Sequence, residues 1–104
     1  VLGHTLCGAV NATVQHARNP SQALPSVHLE ELVGRIRPAV ESISPQADWN
    51  EGEFLQHATE ANTLRSARLI RDQSAIVRRA IDEGRLGIQP AILDLATGRV
   101  RFIG

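Results

Sequence analysis

The chain has 104 residues, 42% of them hydrophobic and only 3% aromatic, with eleven basic and eleven acidic side chains. That length holds a single domain, residues 1–104, with enough Leu, Ile, Val and Ala for a core. The zero net charge speaks against nucleic acid or an anionic membrane as a partner recruited by bulk charge. The lone cysteine excludes an internal disulfide framework and fits a reducing, cytoplasmic setting, and no apolar run approaches the roughly 20 residues of a bilayer span.

In chain order, Val1-Leu2 reads as the end of a buried strand, broken at Gly3. A helical pattern starts at Gly8 with Ala9, Val10, Ala12, Thr13 and Val14 and stops at the turn cluster Arg18-Asn19-Pro20-Ser21. A second helix is expected from Val27 or His28. Its apolar positions Leu29, Leu32, Val33, Ile36, Val40 and Ile43 recur at three- and four-residue spacing, and Pro38 predicts a kink. The polar stretch 46–52 is a loop anchored by Trp49. The longest helix opens at Glu53 or Phe54 and runs to about Asp72, burying Phe54, Leu55, Ala58, Ala61, Leu64, Ala67 and Ile70. Ser74 caps a short helix that uses Ile76, Val77, Ala80 and Ile81, and Gly84 closes it. The tail changes to period two. Leu86 to Leu95 and Val100 to Ile103 form a hairpin around Ala96-Thr97-Gly98, with Pro90 pushing its strand toward an edge or bulge. On the last strand Val100 and Phe102 are expected to face inward, with Arg99 and Arg101 in solvent.

The chemistry concentrates at the start. His4 and Cys7 stand three positions apart in a short turn from strand to helix. A neutral imidazole and a thiolate can fill two corners of a tetrahedral zinc site. A helix start favours an anionic sulfur through its partial positive charge and free N–H groups. Gly8 and Ala9 add no bulk, so Gly8 is expected to allow close backbone approach beside the metal. By itself His-x-x-Cys is a weak signal, because a lone cysteine is more often a small hydrophobe.

Val1-Leu2-Gly3-His4-Thr5-Leu6-Cys7-Gly8-Ala9-Val10 resembles the second zinc-ligand motif of the β-class carbonic anhydrases. Glu60-Ala61-Asn62, Leu69-Ile70-Arg71-Asp72-Gln73-Ser74-Ala75-Ile76, Glu83-Gly84-Arg85-Leu86 and Ala91-Ile92-Leu93-Asp94-Leu95-Ala96-Thr97-Gly98-Arg99-Val100 are similar to later segments of that family, so the resemblance spans the chain. It implies an α/β fold in which a parallel-sheet core is flanked by helices and ends in a β-hairpin. It also implies His4 and Cys7 as ligands to Zn2+, and reversible hydration of carbon dioxide to bicarbonate and a proton. A homodimer or higher homo-oligomer is implied as well.

Departures from the family pattern are small at Gln89-Pro90, Leu93 and Ala75 and large at the other end. The family's first ligand motif, Cys-x-Asp-x-Arg, has no counterpart here. The third ligand and the Asp-Arg pair are therefore expected upstream, and the chain, lacking an initiator Met, reads as the C-terminal part of a longer domain. Alone, it is expected to be inactive. Two alternatives stand beside the hydratase: a non-catalytic fragment or degenerate homologue serving in assembly, and a zinc hydrolase of carbon disulfide or carbonyl sulfide. Arg65, Arg68, Arg71, Arg78 and Arg79 read as solvated or intersubunit residues, and His16, His28 and His57 as surface or capping residues.

Overall fold

A computed structural model describes residues 1–104 as four helices and a three-stranded sheet, in the order β1 (Leu2–His4), α1 (Gly8–Arg18), α2 (Val27–Glu41), α3 (Glu51–Gln73), α4 (Ala75–Asp82), β2 (Ala91–Leu93) and β3 (Val100–Phe102). The sheet order is β1-β2-β3. β1 and β2 pair in parallel, with Leu2 opposite Ala91 and His4 opposite Leu93, and β2 and β3 pair antiparallel. All four helices lie in the crossover between the two parallel strands, as parallel pairing requires.

Side-chain capping fixes where three of the helices begin. Ser26 accepts the Leu29 N–H at 3.2 Å and Ser74 the Val77 N–H at 3.2 Å. At α3, Asn50 accepts the Glu53 N–H at 2.9 Å while the Glu53 carboxylate accepts the Asn50 N–H at 2.7 Å, a reciprocal capping box. This box starts α3 two residues before the Glu53 expected from hydrophobic period. At the end of α4, Gly84 takes φ 71° and Arg85 N–H donates back to the Ala80 carbonyl at 2.9 Å, as expected of a C-terminal glycine.

The core lies between α1, α2 and α3, where Val10, Val14, Ile36, Val40 and Ala58 form one cluster, with Cys7, Leu55 and Phe54 packed against it. Small side chains do this work, as the scarcity of aromatics requires. α3 then reaches the sheet, and the contact is close: a Cβ on Gly3 would lie 2.1 Å from Thr63 Oγ1. Gly3 thus sits inside β1 rather than breaking it, because α3 crosses directly over it.

Several expectations fail at the periphery. Val1 and Leu2 are exposed rather than buried, since β1 is an edge strand with no layer over that part of it. Val100 and Phe102 are exposed too, so no face of β3 is buried. α4 buries no residue, and Ile76 is exposed despite its apolar spacing. Leu29, Leu32 and Ile70 are also exposed, which narrows the buried stripes of α2 and α3. The strand expected over 86–95 shortens to Ala91–Leu93, and β2 is central rather than an edge. Pro90 is tolerated because it precedes the ladder, and its carbonyl accepts the Ile103 N–H at 3.0 Å. α2 runs through Pro38 to Glu41. No helix is long and apolar enough to cross a membrane.

Candidate metal centre

The turn between β1 and α1 is held at Thr5 by two bonds. Thr5 N–H donates to the Leu93 carbonyl at 3.0 Å, and Leu95 N–H donates to Thr5 Oγ1 at 3.0 Å. These bonds tie the turn to the C-terminal end of β2. Within it Leu6 has φ 56°, the one positive φ outside glycine. A left-handed conformation costs an L-residue roughly 1–2 kcal/mol, and here it brings the chain round from His4 to Cys7 in two residues.

His4 ends β1, half-buried, with ring Nδ1 2.8 Å from the Thr5 carbonyl oxygen. A carbonyl only accepts, so this contact requires a proton on Nδ1, and in the neutral ring the lone pair is then on Nε2. A neighbouring carbonyl that fixes the tautomer in this way is the usual support for a metal-binding histidine. Cys7 is the N-cap residue of α1, yet its side chain makes no capping bond, so the sulfur is uncommitted. It is half-buried, packed on one side against the core cluster and lining on the other a cavity of about 320 Å³. Leu6, Val10, Leu55 and Ile92 contribute to the wall of that cavity, with Gln56 from α3, whereas His4 does not.

As a zinc site this donor set is right in kind and short in number. Imidazole nitrogen and thiolate sulfur are the preferred zinc donors, but a catalytic zinc takes three protein ligands. No group of three His, Cys, Asp or Glu side chains comes together anywhere in the chain. At Gly8 an added Cβ would meet nothing within 4 Å, so packing inside this chain does not require that glycine. The glycine that does permit a close approach is Gly3, which side-chain pattern alone could not distinguish from a strand breaker.

A sequence profile of the family described as Carbonic anhydrase matches residues 1–100. The chain belongs to that family. Among solved structures, a tetrameric β-carbonic anhydrase from the filamentous ascomycete Sordaria macrospora is 17% identical with a TM-score of 0.73. The similarity covers 99% of this chain and 50% of that one. The β-carbonic anhydrase CafD of Aspergillus fumigatus, as its C39A mutant, is 19% identical with a TM-score of 0.63 over 100% of this chain and 55% of that one. Both are β-class enzymes, and the fold is theirs. None of the curated proteins matches the sequence. This chain therefore spans about half the length of the solved chains it resembles.

The remaining histidines stand away from the turn. His16 Nδ1 meets Arg37 Nη2 at 2.5 Å, and His57 stacks on Trp49 with ring centroids 4.0 Å apart, which gives the loop tryptophan its anchor. Glu60, within the family-like segment of α3, pairs with Arg101 of β3 and ties the hairpin to the helix layer.

Proposed function

We propose that this chain is the second half of a zinc-dependent carbonic anhydrase domain, catalysing reversible hydration of carbon dioxide to bicarbonate and a proton. The observation that carries the reading is the 2.8 Å contact between His4 Nδ1 and the Thr5 carbonyl oxygen. With Nδ1 engaged by the Thr5 carbonyl, Nε2 is the ring nitrogen left to take a metal, in the same turn as an uncommitted Cys7. Zinc, held by His4 Nε2, Cys7 Sγ and a third ligand from outside these residues, would act as the Lewis acid that activates water. The chain's own part is to hold two donors on a turn fixed to β2 and, beside Cys7, to line one side of the cavity. A homo-oligomer is part of the proposal, supported by the apolar side chains left in solvent on β1, α4 and β3.

Zinc content and carbon dioxide hydration, measured on the full-length protein, test the proposal. Near-stoichiometric zinc and activity are expected in the wild type, with both lost on His4→Ala or Cys7→Ala. Activity that survives both substitutions refutes it. The two-donor shell favours a second reading, a non-catalytic relative that serves only in assembly. Absence of zinc from the full-length protein would select it. Hydrolysis of carbon disulfide or carbonyl sulfide by the same site is separated by competition with carbon dioxide.

A further inference from the structure

The parallel ladder between β1 and β2 stops at Thr5, and a side chain stops it. In parallel pairing the two strands donate to each other in turn. Ala91 N–H donates to the Val1 carbonyl at 2.9 Å at one end of the ladder, and Thr5 N–H donates to the Leu93 carbonyl at 3.0 Å at the other. The next rung in that alternation would send Leu95 N–H to the Thr5 carbonyl. The amide goes instead to the Thr5 hydroxyl oxygen at 3.0 Å. The Thr5 carbonyl, left out of the ladder, is the one 2.8 Å from His4 Nδ1. One half-buried residue thus offers two acceptors, and its hydroxyl takes the rung the backbone oxygen would have taken. A carbonyl in the ladder points at the neighbouring strand, so an oxygen drawn to Leu95 would turn toward β2 and away from the ring.

We infer that Thr5 is a positioning residue for His4: its hydroxyl occupies the Leu95 amide and so leaves the Thr5 carbonyl free to hold the ring at Nδ1, with Nε2 presented for a metal. The assignment rests on the hydration reading above and deepens it. Valine has the same shape without the acceptor. With valine there, the Leu95 amide is expected to take the carbonyl and lengthen the ladder by one rung at the expense of His4.

Two readouts on the full-length protein test it. In the metal-free form, long-range proton–nitrogen NMR of the His4 ring, at a pH where the ring is neutral, reports which nitrogen carries the hydrogen. Zinc affinity is measured by chelator competition. Wild type is expected to show the Nδ1–H tautomer. Thr5→Val should move the population toward Nε2–H and weaken zinc about tenfold, the lower end of what losing the partner of a metal-binding histidine costs. Thr5→Ser keeps the hydroxyl and should hold the wild-type tautomer, with affinity within about twofold. A second variant removes the competing donor. Leu95→Pro has no amide hydrogen, and the residue stands in the turn that follows Asp94, a setting that suits proline. Added to Thr5→Val it should restore the Nδ1–H tautomer and most of the affinity, and alone it should change neither. A Thr5→Val protein with the wild-type tautomer would overturn the assignment. So would a loss shared equally by Thr5→Ser, or a double variant no better than Thr5→Val, because the hydroxyl would then not act through the Leu95 amide. A wild type that takes no zinc overturns the hydration reading, and the tautomers then decide the role of Thr5 on their own.

Discussion

Gly3→Ala is the most informative single change, because one added methyl tests how β1 is seated under α3. Its Cβ would lie 2.1 Å from Thr63 Oγ1, 2.9 Å from Ile92 Cδ1 and 3.4 Å from Thr63 Cβ. The isoleucine contact is the far end of a flexible side chain and can give way. The threonine cannot retreat easily, since Thr63 is 4% exposed and its hydroxyl donates to the Thr59 carbonyl at 2.8 Å. Either the strand shifts, at an overpacking cost of about 1–3 kcal/mol, or Thr63 turns and loses a bond worth about 0.5–1.5 kcal/mol. Stiffening the unfolded chain returns about 0.4–1 kcal/mol, which leaves a net loss of about 1–2 kcal/mol. Urea unfolding followed by circular dichroism, at fixed protein concentration, measures that loss. The cycle with Thr63 makes the reasoning specific. Thr63→Ala removes the 2.1 Å obstacle and leaves a 3.4 Å contact, so the double variant should recover most of the Gly3→Ala penalty, a coupling of about 1 kcal/mol. Thr63→Val keeps a methyl in place of the hydroxyl and should recover none. A Gly3→Ala protein as stable as wild type, or a penalty indifferent to Thr63→Ala, would refute the seating.

Two further changes probe the frame around the site. Asn50→Ala removes one side of the α3 capping box and should cost about 1 kcal/mol, read as a lower urea midpoint with an unchanged slope. Asp94 sits below the ordinary carboxylate range, because its carboxylate accepts the Ala96 N–H and then the Thr97 hydroxyl in the β2–β3 turn. A depressed acid contributes stability that is present above its unfolded pKa and lost as pH falls through the folded value. The wild-type urea midpoint should therefore drop on acidification through that range, and Asp94→Asn should flatten that part of the profile. A profile identical in the two proteins would remove Asp94 from the account.

The sequence and the structure agree where a local cause decides the outcome and part where a neighbour does. Ser74 and Gly84 bound α4 as their chemistry predicts, because a cap and a left-handed glycine are settled within a few residues. The strand-to-helix turn that joins His4 and Cys7 likewise follows from one short segment, whereas their role as ligands rests on resemblance. Gly3 could not be read correctly. Its pairing with Ile92 and its contact with Thr63 join residues far apart in the chain, and a glycine within a strand looks locally like a break. Leu6 could not be read either, for a different reason: nothing in its identity announces a positive φ. The apolar spacing of α4 and the alternation along β3 predict buried faces that this chain does not cover, because periodicity only says that a face wants cover. It cannot say which residues supply it.

That distinction bears on the metal centre. The two donors lie on β1 and at the start of α1, beside the sheet edge that pairs with nothing in this chain. β2 occupies one side of β1, and its carbonyl at Leu93 and amide at Leu95 hold the turn there. On the proposed reading, a third ligand would approach from a direction β2 does not fill. The open side of β1 is such a direction, and Leu2 is exposed there. A strand pairing with that edge would satisfy its free backbone groups and could bring a donor to the turn at the same time. The geometry thus links two features that the sequence presents separately, a turn with two donors and an uncovered strand edge.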